Sequence, residues 1–248
     1  MCGRYTIHES IDDLMDRFNA EAGVAGFPPR YNVAPTESAP IVINATKDKE
    51  TGVSPGRVIE MCRWGLVPSW AKDTSGGARL INARGEELTE KPTFRTPLAS
   101  RRCVVPVSGF YEWKQAGERR KKSDPPRQPM YVRPKDGHVF GLAGLWDLWR
   151  QPDGQWLKSY TIITVPANEL LSEIHERMPA ILTPSDIDLW MSTEPISTDV
   201  LTNLLQPASA DLMDIYPVSP RVNTAGVDDP AFIERVDLST VGGGLFEM

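Results

Sequence analysis

The pentapeptide MCGRY opens the chain with a cysteine directly behind the initiator methionine. Methionine aminopeptidase is expected to remove Met1 ahead of so small a residue, leaving Cys2 with an α-amine and a thiol on adjacent carbons. An ordinary α-amine titrates at about 7.7–8.0 and a cysteine thiol at about 8.5, so both are partly deprotonated near neutral pH. The amine can condense with an aldehyde to an imine, and the thiolate can then close on the imine carbon as a five-membered thiazolidine. An internal cysteine lacks the amine and a lysine lacks the thiol. The other chemistry open to Cys2 is acyl transfer, with a base activating the thiol against an amide, as in cysteine peptidases.

Four further stretches set polar groups in unusual company. In LINARGEEL, Asn82 and Arg84 alternate and share one side if the segment is extended. In VSGFYEWK, Glu112 lies between Tyr111 and Trp113; a carboxyl among aromatics has its pKa raised by desolvation and suits proton transfer. The same spacing also fits an outward-facing strand glutamate. EIHERMPAIL holds His175, one of three histidines in the chain, which fits a structural role near a helix end as well as a catalytic one. CRWGLVPSWAKD places Trp64 and Trp70 around Pro68 beside Arg63 and Lys72. Such a set belongs to a core, or to a platform on which single-stranded bases stack among positive charges.

Those residues need a scaffold, and the 248-residue chain is long enough to bury a sizeable core. No apolar run approaches the ~20 residues of a membrane span. Charged residues from Glu9 to Arg17 rule out a secretory signal, so the expected location is cytoplasmic. Three dispersed cysteines make neither a disulfide framework nor a zinc site, and Cys62 and Cys103 read as small buried hydrophobes. Phosphate-loop, dinucleotide, nucleophile-elbow and zincin motifs are all absent, so no cofactor and no metal are expected. The net charge of −6 is uneven: residues 61–135 hold 16 Lys+Arg against 7 Asp+Glu. A basic middle in an acidic chain suits a phosphate-bearing partner on one face. Within it, the run at 117–129 also fits a solvated loop.

Twenty-two prolines and many short apolar runs point to an α+β fold, mainly antiparallel sheet with peripheral helices. Strands are expected at Ala39–Asn44, Val58–Trp64, Cys103–Trp113, Met130–Arg133, Val139–Leu145, Leu157–Val165 and Leu212–Val218. Ser10 is placed to cap the helix IDDLMDRF, Asn168 to cap ELLSEIHER, and Ser185 to begin DIDLW. The region from about Thr183 to Gln206 forms an acidic helical layer.

Taken in order, MCGRY, YNVAPT, RWGLVPSWAKD, NAR-x-E with KPTFR, RRCVVPVSGFYEWK, FGLAGLWD and IHERMP closely resemble the SOS response-associated peptidase (SRAP) family. The resemblance runs to about residue 223, which implies one barrel-like domain over 1–223 and an extension over 224–248, either part of that domain or a tail. It implies that Cys2 crosslinks the aldehyde of an abasic site in single-stranded DNA, shielding the lesion, with lyase chemistry open at the imine stage. Asn82 would orient the Cys2 backbone, Glu112 would transfer protons near the amine, and His175 would serve the sugar oxygen. Arg4 and Arg84 would hold flanking phosphates, Thr164 would line the same pocket, and Trp64, Pro68 and Trp70 would stack on a neighbouring base. The partner implied is abasic single-stranded DNA, with the protein joining the nucleoid on DNA damage; no exposed heptad or long apolar edge suggests self-association, so a monomer is expected. The competing reading is a cysteine peptidase that uses Cys2 with His175; with only Met1 ahead of Cys2, no leader is expected for it to cleave.

Overall fold

The computed structural model describes residues 2–45, 56–114 and 127–237. The basic run at 117–126 and the glycines at 242–244 fall outside them. In chain order the strands are β1 (Arg4–Ile7), β2 (Ala20–Ala22), β3 (Arg30–Val33), β4 (Ser38–Asn44), β5 (Arg57–Trp64), β6 (Asn82–Arg84) and β7 (Arg102–Val107). They continue with β8 (Gly109–Trp113), β9 (Pro129–Pro134), β10 (Phe140–Arg150), β11 (Trp156–Pro166), β12 (Arg177–Pro179), β13 (Ile181–Leu182) and β14 (Met213–Pro217). The α-helices are α1 (Ile11–Phe18), α2 (Pro92–Ser100), α3 (Glu169–Ser172), α4 (Pro184–Trp190) and α5 (Thr198–Asn203). This is the α+β architecture expected, with sheet dominant.

Five strands form a closed ring. β11, β10, β7, β4 and β5 pair in that order, and β5 returns to β11 through the parallel pairings Arg63 with Ser159 and Trp64 with Tyr160. Closure removes exposed edges and creates an interior that needs apolar side chains. The run RCVVPV of β7 is buried at every position. Past residue 160 of β11, β6 takes the place of β5, while β12 pairs at 164–166 beyond the last β10 partner. That end of the barrel carries the candidate site.

A second, antiparallel sheet has the order β14-β9-β8-β1-β3. Tyr5 of β1 joins it to the barrel: its hydroxyl hydrogen-bonds the hydroxyl of Tyr160, and its ring meets Trp64 edge-on at 5.1 Å. The opposite face packs Tyr111, Tyr131, Tyr216, Val218, Val222 and Phe232 into a smaller cluster. Residues 219–237 cover part of it, beginning with a 3-10 turn at Pro220–Asn223.

Some expected boundaries move. The run Cys103–Trp113 is two strands in two sheets, divided at Ser108, whose N–H donates to Thr6 O. Gly109 permits the transfer, because a Cβ there would lie 2.4 Å from the Tyr131 hydroxyl. Ser10 caps α1 as expected and forms a capping box with Asp13. Helix α4 starts earlier than Ser185, since Thr183 caps it reciprocally with Asp186 and Pro184 takes the first turn. Asn168 caps α3, but that helix ends at Ser172, so His175 sits in the turn before β12. Cys62 and Cys103 are buried in the barrel.

Trp64 is also buried, at 0 % exposure, with its Nε1–H donated to Ile81 O at 2.9 Å. The stacking role expected for Trp64 is therefore corrected to a core role, and Pro68 is buried too. Trp70 alone of the three faces solvent, at 69 % exposure. Trp64→Ala is expected to cost about 3–5 kcal/mol of stability, and Trp70→Ala to stay within about 0.5 kcal/mol. Chemical denaturation of the two variants checks the contrast.

Candidate functional site

Cys2 lies two residues ahead of the start of β1 and is fully buried where the second sheet meets the barrel end. The pairing of Arg4 with Tyr111 and Tyr5 with Phe110 sets the β1–β8 register. Continued by one residue, it brings Glu112 alongside Gly3. From the barrel side, Asn82 at the start of β6 donates Nδ2–H to Cys2 O at 2.8 Å. Asn82 pairs with Ile162 of β11, so the strand ladder fixes its position. Its Oδ1 is buried and has no hydrogen-bond partner among the described residues. A buried, unbonded amide oxygen costs stability and is the kind of atom that a ligand donor can satisfy.

Burial controls the proton chemistry. Glu112 is 1 % exposed, which rules out the outward-facing alternative, and desolvation pushes its carboxyl up to about 7. Burial also pushes the Cys2 thiol far above its ordinary range, with the Glu112 charge adding to the effect. Near neutral pH the thiol is protonated and needs an acceptor in order to attack, and Glu112 titrates where an efficient acceptor should. His175 is held below the usual histidine range, first by burial. Its Nδ1 accepts the Arg177 backbone N–H at 2.9 Å, which places the ring proton of neutral His175 on Nε2.

Around this centre the cations divide into two kinds. Arg84 is exposed at the end of β6, and its guanidinium makes no hydrogen bond or ion pair among the described residues. Arg4 is half-buried, and its Nη1 donates to Asn32 Oδ1 at 2.7 Å and Val222 O at 3.0 Å. Thr164 is buried, and its hydroxyl donates to Ala83 O at 3.4 Å. That bond joins β11 to β6. Sequence reasoning passed over Asn32, Arg177 and Glu86, although each lies inside a quoted motif. Arg177 makes a bidentate pair with Glu86 at 2.6 and 2.9 Å and also donates to Thr164 O, so from the start of β12 it ties the 3-10 turn after β6 to β11. No spacing rule couples residues 86 and 177; only the barrel does. Arg84 and Pro179 both pair with Thr164, so the structure brings Cys2, Asn82, Glu112, Arg84 and the His175 turn to one end of the barrel. Trp64 and Pro68 are left in the core.

Among the described residues no group of three or more His, Cys, Asp or Glu is placed to hold a metal ion. No described helix is long and apolar enough to cross a membrane.

Residues 1–225 match the family model described as SOS response associated peptidase (SRAP). The abasic site processing protein YoqW of Bacillus subtilis is 40% identical over 94% of this chain and 99% of its own length. The abasic site processing protein HMCES of Rattus norvegicus is 34% identical, covering 96% of this chain and 77% of that one. A crystal structure of a Bacteroides thetaiotaomicron protein superposes with a TM-score of 0.80 at 25% identity, covering 95% of this chain and 100% of that one. A Bordetella bronchiseptica protein gives 0.70 at 25% identity, with 88% and 100% covered.

Proposed function

Because the chain belongs to the SOS response associated peptidase (SRAP) family, we propose that it processes abasic sites by binding single-stranded DNA and capturing the lesion covalently at Cys2. The convergence of Asn82 and Glu112, from two different sheets, on the residue behind Met1 carries this reading. After Met1 is removed, the Cys2 amine adds to the aldehyde carbon of the ring-opened sugar, and water leaves to give an imine. Cys2 Sγ then bonds to the imine carbon while its proton passes by way of Glu112 to the nitrogen, closing the thiazolidine. Asn82 holds the Cys2 carbonyl so that both nucleophiles face one carbon. His175, with its proton on Nε2, serves the sugar oxygen during ring opening. Arg4 and Arg84 meet the flanking phosphates, which position the strand without reading sequence. Trp70 offers its exposed ring to a neighbouring base.

The peptidase alternative calls for a thiolate beside an imidazolium, the usual activated pair. Burial opposes both charges here, raising the Cys2 thiol and lowering His175. The proposal is tested by intact mass before and after incubation with single-stranded DNA containing one abasic site. The expected result is a chain lacking Met1 that gains the mass of the oligonucleotide less one water. An unchanged mass overturns the reading, and an adduct on a chain that retains Met1 removes the amine from it.

A further inference from the structure

Asn32 of β3 lies in the motif YNVAPT, and the chemistry at Cys2 makes no use of it. Its side chain is 1 % exposed, yet every polar atom on it is engaged. Oδ1 accepts from Arg4 Nη1 at 2.7 Å; Nδ2 donates to Val227 O at 2.8 Å and Thr224 O at 3.1 Å, with a longer contact to Val222 O. Arg4 Nη1 reaches Val222 O as well. The same C-terminal segment is fastened beside Asn32 by Asp228, which accepts from Arg30 Nε and from the Tyr31 N–H. Asn223 Oδ1 accepts from Trp113 Nε1 at 2.6 Å, one residue beyond Glu112. Residues 222–228 are thus tied to β1, β3 and β8 around one arginine.

We infer that Asn32 is a positioning residue for the nucleic-acid face, holding Arg4 and the segment 222–228 together so that the guanidinium is presented to a backbone phosphate. The inference rests on the reading of Arg4 as a phosphate contact. Only one end of the guanidinium is used internally, since Nε and Nη2 make no hydrogen bond among the described residues. An arginine fixed at Nη1 keeps its remaining donors in a set direction, and a planar fork that is already ordered loses less freedom per phosphate bond. Asparagine suits the task because it accepts from the cation and donates to backbone carbonyls at once. Leucine would do neither, and aspartate would set a carboxylate against the carbonyls of Thr224 and Val227.

The test is the salt dependence of binding by the full chain to a single-stranded oligonucleotide with a tetrahydrofuran abasic analogue. That probe has no aldehyde, so no bond forms. Arg4→Ala is expected to reduce the slope of log K against log salt by about 0.7, the value for one phosphate contact on a single strand. Asn32→Ala is expected to reduce it equally, and the double variant no further. A merely structural Asn32 lowers the melting temperature without changing the slope, so a native slope in Asn32→Ala beside a reduced one in Arg4→Ala overturns the inference. If Arg4→Ala itself keeps the native slope, the phosphate reading of Arg4 fails and the inference falls with it, while capture at Cys2 stands or falls by mass. If Asn32→Ala does not fold, Asn32→Ser takes its place, keeping a polar side chain too short to reach Arg4 Nη1 and the Thr224 and Val227 carbonyls together. A reduced slope there supports the inference, and a native slope overturns it.

Discussion

Cys2→Ala is expected to leave no DNA-linked species that survives heat and denaturant, whereas Cys62→Ala and Cys103→Ala are expected to crosslink as the native chain does. The three thiols are all buried, so exposure does not separate them. Position does. Cys62 and Cys103 lie inside barrel strands with their nitrogens in amide bonds, and neither has an amine beside it. Alanine at position 2 keeps the α-amine once Met1 is gone, so the imine still forms and borohydride should trap it. Without Sγ the imine cannot close to the thiazolidine. It then either hydrolyses back or loses the 3′ phosphate by β-elimination, which breaks the strand. The variant should therefore exchange a stable crosslink for a reducible one and for cleaved DNA. Denaturing gel electrophoresis with and without borohydride reads both products. A heat-stable crosslink from Cys2→Ala would show that another nucleophile holds the lesion.

Local rules and distant contacts shaped the reading of the chain differently. The Ser10 cap, the alternation of Asn82 with Arg84 and the apolar run of β7 are local matters of hydrogen bonding and burial, and each is visible in a few residues. The division at Ser108 is not, because it arises where the chain leaves the barrel and Gly109 meets the Tyr131 ring. Trp64 and Trp70 look alike in CRWGLVPSWAKD. The parallel pairing of Trp64 with Tyr160 closes the barrel over the first and leaves the second outside. The sequence places His175 near the end of a helix, but α3 stops three residues short of it, and the Arg177 N–H decides its tautomer. The chemistry of Cys2 and Glu112 could be argued from residue type alone. The supports, Asn32 for Arg4 and Glu86 for Arg177, join residues 28 and 91 positions apart.

Glu112→Gln tests whether the carboxyl raised by burial is the group that moves the proton. In the native chain, crosslinking should rise with pH along a limb centred at about 7, as Glu112 becomes an acceptor for the thiol proton. Glutamine cannot accept it, so that limb should disappear and the rate at pH 8 should fall by about 10²–10⁴-fold, the usual contribution of a positioned acid or base. Stability moves the other way. The carboxyl titrates near 4.5 when unfolded and at about 7 when folded. Below 4.5 it is protonated in both states and costs nothing. Between 4.5 and 7 the unfolded chain ionises first, so native stability falls as pH rises, at up to about 1.4 kcal/mol per pH unit. Above 7 both states are ionised and the loss is complete. Glu112→Gln removes this linkage, so its melting temperature relative to the native chain should climb from pH 4.5 to 8. A variant that is slower and gains relative stability across that window identifies a carboxyl kept buried for its proton. Equal pH profiles for rate and stability in the two proteins would return Glu112 to the scaffold and leave the thiol proton to another acceptor.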